Sequence, residues 1–347
     1  MKMTFRWYGY DDKNTLDYIR QIPGMTGVVT ALYTVPVGEV WPEDEVARLH
    51  DYVTSHGLEM EVIESVPVSE DIKLHRGDYK RHIENFKENI RILSRHGVKC
   101  ICYNFMPVFD WTRSQLDHKL PDGSEALVYY KEDVDKLDPT KLTLPGWDSS
   151  YKPSEVKELI EAYKELGEEG LWANLKYFLE EIIPVARECD VLMAIHPDDP
   201  AWPIFGIPRI ITCEKNLDRF LGLVDDHYNG LTLCSGSLGT NPQNDMVHLV
   251  KKYAAMDRIH FAHIRNIKLV GEESFEESAH YSKCGSLDMF GMIKAYHDAG
   301  YTKYIRPDHG RMIWDEKAKP GYGLYDRALG SMYITGIWEA LDRMENK

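Results

Sequence analysis

Short runs of β-branched and apolar residues alternate along the chain with longer stretches whose apolar positions recur at helical spacing, and the order of that alternation predicts the fold. Candidate strands fall at residues 4–8, 27–32, 59–64, 99–104, 191–196, 231–234, 258–263 and 303–306. Helical patterns cover 41–55, 78–95, 172–188, 214–224, 244–255, 286–299 and 326–343. Gly57, Gly97 and Gly300 stand where a helix would end just before a strand, a position that favours glycine because the backbone turns left-handed there. Alternating strand and helix implies a parallel sheet, and eight repeats allow closure into a (β/α)8 TIM barrel of the α/β class. A doubly wound open sheet is the other arrangement these units allow.

The rhythm breaks once. After the fourth strand, residues 105–167 form a long insertion rich in aromatic residues and in turn signals, PDGS at 121–124 and LPGWDSS at 144–150. Excursions of this length after a barrel strand serve as lids or subunit contacts, or else decorate the surface. The expectation is one barrel domain over 1–347, with 105–167 as a loop-rich insertion at the barrel mouth.

Composition narrows the function classes. The chain has 347 residues, 43% hydrophobic and 28% charged, enough to bury a full core. Its 41 basic and 56 acidic side chains leave a net charge of -15, which repels phosphate backbones and anionic lipid, so neither nucleic acid nor membrane is an expected partner. The longest uncharged stretches, 21–38 and 227–244, are interrupted by proline and glycine and do not read as membrane spans. The N-terminal MKMTFRWYGYDD lacks an apolar leader core, which points to the cytoplasm. Six cysteines without a Cys-x-x-Cys spacing suit reduced thiols.

Active sites of a barrel lie at the C-terminal ends of its strands. Four successive candidate strands finish on His196, Cys234, His263 and Asp308. Each residue type is a metal ligand, although one histidine or cysteine at a strand end is by itself more often a structural residue. Four on consecutive strands is a harder coincidence. Strand alternation puts Ala194 on the same face as His196, a small side chain one layer below the site, while Met193 and Ile195 turn toward the helices. Two imidazoles, a thiolate and a carboxylate carry a formal charge that neutralises a divalent ion. Six-coordinate Mn2+ or Fe2+ would retain open positions for substrate oxygens, whereas tetrahedral Zn2+ would be closed.

His309 follows Asp308 and must lie near any ion that Asp308 binds; imidazole is the usual proton-transfer group near neutral pH. Tyr322 sits between two glycines that could hold it over the mouth, though a tyrosine in such a turn is ordinarily a packing residue. An anionic substrate needs a cation. Arg265 and Arg113 are the first candidates, with Arg209 on a later mouth loop, Asn104 at the end of the fourth strand, and Arg6 inside the first. Surface ion pairing is the commoner fate of any one arginine. SGSLG at 235–239 lacks the spacing of a phosphate-binding loop.

The stretches FRWYG (5–9), NFMPVFDWTR (104–113), LPGWDSSY (144–151), HPDDP (196–200), FGIPRI (205–210), HIRN (263–266), RPDHGR (306–311) and PGYGLYDRALG (320–330) resemble the mannonate dehydratase family over nearly the whole chain. The resemblance implies a xylose-isomerase-like barrel that converts D-mannonate to 2-dehydro-3-deoxy-D-gluconate in glucuronate breakdown. It implies Mn2+ or Fe2+ held by His196, Cys234, His263 and Asp308, with His309 and Tyr322 as catalytic residues. Which of these two is acid and which is base stays open. A sugar or sugar-acid isomerase or epimerase would use the same parts, and a non-catalytic sugar-acid or metal-binding protein would share the metal site. The aromatic-rich loops suggest a homodimer.

Overall fold

The computed structural model describes residues 1–139 and 153–345, so the LPGWDSSY stretch lies outside the described residues. In chain order the strands are β1 (Lys2–Arg6), β2 (Met25–Thr30), β3 (Glu59–Glu64), β4 (Cys100–Tyr103), β5 (Gln115–Lys119), β6 (Glu125–Tyr129), β7 (Leu192–Ile195), β8 (Asn229–Cys234), β9 (Ile259–Ile264), β10 (Asn266–Gly271), β11 (Ser274–Ser278) and β12 (Tyr304–Pro307). Eight of them close into a parallel barrel in the order β1-β12-β9-β8-β7-β4-β3-β2. The pattern of apolar runs places all eight within two residues of their ends, and the open-sheet alternative is set aside.

These strands form because both of their faces are covered, which is why they read as continuous apolar runs. Every residue of β8, β9 and β12 is buried. Inward side chains Val29, Val62, Cys100, Cys102, Ala194, Phe261 and Tyr304 fill the barrel. The alternate residues, Val28, Ile63, Ile101, Met193, Ile195, Ala262 and Ile305 among them, join the larger core shared with the helices. Ala194 and its neighbours thus face as alternation requires. Of the surrounding helices, Pro153–Glu188 begins well before the predicted 172 and is broken at Gly167, where φ is 66°.

The insertion is more ordered than its turn signals suggest. β5 and β6 form an antiparallel hairpin, and β6 pairs with β11 to build a four-stranded sheet in the order β10-β11-β6-β5. The PDGS signal is the hairpin turn: Leu120 N–H donates to the Ser124 carbonyl at 2.8 Å, and Gly123 takes φ 87°. The flanking sequence QLDHK hides its strand because β5 is an edge with no buried residue. Tyr129, Val134, Trp202, Ile204, Ile267 and Phe275 make the core beneath this sheet. No described helix is long and apolar enough to cross a membrane.

Candidate metal centre and its acid–base pair

Barrel register brings the strand-end residues into one layer. Cys234 is opposite His263 across β8 and β9, and His263 is opposite Arg306 across β9 and β12. His196 extends the β4–β7 ladder by one bond, its N–H donating to the Tyr103 carbonyl at 2.7 Å. Asp308 does likewise past β12, donating to the Ile264 carbonyl at 3.0 Å. One ligating atom from each of His196, Cys234 and His263 lies within 4.8 Å of the others. Asp308 adjoins them, with Oδ2 3.5 Å from Cys234 Sγ and Oδ1 3.9 Å from His263 Nδ1.

The donors suit a divalent ion. Two ligands that are each about 2.1–2.3 Å from one ion stand about 3–4.5 Å apart, close to these separations. His196 Nδ1 lies 2.7 Å from the Pro197 carbonyl oxygen, which can only accept. Its proton is therefore on Nδ1, and Nε2 keeps a lone pair for a metal. Cys234 Sγ accepts from the Ser237 hydroxyl at 3.1 Å and the Ser237 N–H at 3.5 Å.

His309 and Tyr322 meet beside this group: Nε2 and Oη are 2.8 Å apart, and both residues are buried. On the far side of the imidazole, Nδ1 is 3.0 Å from Glu277 Oε1 and 3.3 Å from Arg265 Nη1. A proton on Nδ1 satisfies the nearer carboxylate, whereas a lone pair there would oppose it. The network therefore assigns Nδ1–H to Glu277 and leaves Nε2 to accept from the Tyr322 hydroxyl. Burial first, then the neighbouring Tyr8 and Asp308, pushes the Tyr322 phenol well above its ordinary value, so it holds its proton. Gly321 makes the turn into Tyr322 with φ 78°, and the Tyr322 carbonyl is pinned by Asn14 Nδ2 and Arg327 Nη2, each at 2.7 Å.

Arg113 and Arg265 both reach the site, but carboxylates already face them. Arg113 donates to Asp199 Oδ1 and to Glu277 Oε1, each at 2.8 Å. Arg265 donates to Asp199 Oδ2 at 2.8 Å and lies 3.3 Å from Asp308 Oδ2 and 3.4 Å from Glu277 Oε2. Burial works against charge on Asp199, yet Arg113 and Arg265 outweigh it and hold this carboxyl well below the usual range. Glu277 is lowered in the same way, burial being outweighed by Arg265 and His309. Glycine in the SGSLG stretch gives Arg265 its room: a Cβ on Gly236 would stand 1.7 Å from Arg265 Nε.

The structure brings Arg209 and Asn104 into loop bonds. Arg209 binds the Phe109 carbonyl at 2.6 Å and Asp198 Oδ1 at 3.3 Å, while Asn104 Oδ1 accepts from the Met106 N–H at 3.1 Å. The reading of single strands missed Glu277. It lies in the acidic run EESFEES, and its one signal is that it shares a strand face with Phe275.

The whole chain, residues 1–347, matches the family model described as D-mannonate dehydratase (UxuA). Mannonate dehydratase 2 of Halalkalibacterium halodurans is 55% identical over 343 residues, covering 98% of this chain and 99% of that protein. The crystal structure of mannonate dehydratase from Streptococcus suis serotype 2 superposes with a TM-score of 0.94 at 48% identity, over 100% of this chain and 96% of that one. An L-ribulose 3-epimerase structure, at TM-score 0.57 and 12% identity over 100% of this chain and 97% of that one, shares the fold alone.

Proposed function

The chain belongs to the D-mannonate dehydratase family and removes water from D-mannonate to give 2-dehydro-3-deoxy-D-gluconate, and from that premise we propose how its residues divide the work. His196, Cys234, His263 and Asp308 hold one divalent ion, Mn2+ or Fe2+. When bound, the ion supplies Lewis-acid charge to oxygens of the sugar acid. His309 Nε2 takes the proton from C2, and the Tyr322 hydroxyl gives its proton to the hydroxyl that leaves C3 as water. The C2–H bond and the C3–O bond break, a C2–C3 double bond forms, and the enol rearranges to the 2-keto acid. His309 is then an imidazolium and Tyr322 a phenolate, and their direct contact returns the proton once product departs. Glu277 keeps His309 in the tautomer and orientation this cycle requires.

The observation that carries the reading is the 2.8 Å contact between His309 Nε2 and Tyr322 Oη beside the candidate ligands. Metal-stripped protein restored in turn with Mn2+, Fe2+ and Zn2+ and given D-mannonate should form a 2-keto acid lighter than substrate by one water, with Mn2+ or Fe2+ and not with Zn2+. A product isomeric with the substrate would make the chain an epimerase instead. In deuterated water Tyr322→Phe should still exchange the C2 proton without dehydrating, and His309→Ala should do neither; the opposite pattern would exchange their roles. The chain acts as one barrel domain in the cytoplasm and pairs as a homodimer, in keeping with exposed rings such as Tyr10, Tyr18 and Tyr281. Sedimentation equilibrium tests the pairing.

A further inference from the structure

We propose that Arg6, at the end of β1, is the cation that receives the carboxylate of the sugar acid, a role that rests on the dehydratase reading above. Arg6 is 8% exposed, and its Nε and Nη1 have no hydrogen-bond acceptor among the described residues. Its one carboxylate neighbour among the described residues, Glu64, lies with Oε2 3.3 Å from Nη1 and makes no hydrogen bond there. Glu64 is also shared: Oε1 accepts from Arg306 Nη2 at 3.0 Å, and Oε2 lies 3.5 Å from His263 Nε2. Buried guanidinium donors without an acceptor are costly, and an arriving carboxylate set bidentate on either planar edge of the group would satisfy one of them together with Nη2.

The location is right for this. Through Glu64, Arg6 is one side chain away from the candidate ligand His263. On its other side the guanidinium lies 4.9 Å over the ring of Tyr8, which meets Tyr322 edge-on with ring centres 4.9 Å apart. Arg327 ties the two segments together, donating to the Arg6 carbonyl at 3.1 Å and to the Tyr322 carbonyl at 2.7 Å. Arg6 is therefore one side chain away from a candidate ligand and one side chain away from the proton donor, within reach of the acid end of a substrate held by both.

The rival cations are more heavily engaged. Arg265 Nε and Nη2 and Arg306 Nη1 also lack acceptors among the described residues. Arg265 already faces Asp199, Asp308 and Glu277, however, and Arg306 faces Glu64 and Asp308.

The test uses the metal-loaded protein and a 3-deoxy analogue of mannonate, which has no hydroxyl to lose, together with its primary amide. Calorimetry should show wild-type protein binding the acid at least about tenfold more tightly than the amide. Arg6→Gln should weaken the acid at least about tenfold and leave the amide unchanged, erasing the preference, with metal content at the wild-type level. Arg6→Lys, which keeps the charge and guards against misfolding of the glutamine variant, should retain part of the preference. With D-mannonate, Arg6→Gln should raise KM more than it lowers kcat. Turnover by the wild type with the acid preference intact in Arg6→Gln would overturn Arg6 alone, and would do so decisively if Arg265→Gln lost it. A metal-loaded wild type that neither binds the acid nor dehydrates mannonate would overturn the dehydratase reading, and this role with it.

Discussion

The candidate ligands and the acid–base pair sit side by side but are built differently. His196, Cys234, His263 and Asp308 end consecutive barrel strands, and ladder bonds to neighbouring strands fix their backbones. Glu277 comes from the small antiparallel sheet and Tyr322 from the loop after β12, and side-chain pairing holds this half: Arg113 and Arg265 against Asp199 and Glu277. The barrel half gathers donors suited to a metal ion, with Asp308 also faced by Arg306 and Arg265, whereas the small-sheet half pairs its carboxylates with arginines. The first should respond to metal and the second should not.

The sharpest break comes from removing a ligand. Cys234→Ala deletes the only thiolate of the group and leaves the Glu277–His309–Tyr322 chain untouched. Metal measured by elemental analysis should fall below one ion per chain, with affinity weakened by well over about 100-fold, since even outer partners of a metal ligand cost 10–100-fold. Turnover should fall with it. Full metal content in this variant would remove Cys234 from the coordination sphere.

Glu277→Gln attacks the other half. The amide can face Nδ1 with either its oxygen or its nitrogen, so the imidazole loses its enforced tautomer, and kcat should drop about 100-fold or more. Metal content and KM should stay near wild type, and Glu277→Asp should recover part of the rate. A variant that loses metal as readily as Cys234→Ala would show that the two halves are not separable.

The same contrast explains what the sequence discloses. The eight barrel strands and the residues at their ends are legible because each strand is buried on both faces and its last residue has a fixed destination, the barrel mouth. Ala194 beneath His196 follows from strand alternation alone. Glu277 is not legible in that way: the β10–β11 hairpin sets it opposite Ile267, and β11 pairs in turn with β6, about 150 residues earlier in the chain, so reading the barrel strands alone gives it no destination. Arg113 and Arg265 were legible as site residues, but their partners Asp199 and Glu277 were not, and the partners decide whether an arginine is available to substrate. Gly236 is a similar case, since its lack of a side chain has meaning only once Arg265 passes over it.

The smallest expected signal concerns the arginine–carboxylate network. Asp199 and Glu277 are held below their ordinary values because the arginines outweigh the effect of burial. A carboxyl depressed in the folded state contributes stability that is complete above its unfolded value, about 4, and is lost as pH falls toward the folded one. Asp199→Asn lacks that contribution and leaves Arg113 short of a counter-charge, so at neutral pH it should be less stable by about 3–5 kcal/mol. As pH falls below about 4 the wild type alone gives up the Asp199 part, and the gap should narrow by at most about 1.4 kcal/mol per pH unit. Calorimetric Tm values of both proteins from pH 7 to pH 3 would show the two curves converging on the acid side. Parallel curves would mean that Asp199 gains nothing from its arginines, and the small-sheet half would then owe its order to the apolar core under Phe275 rather than to its charges.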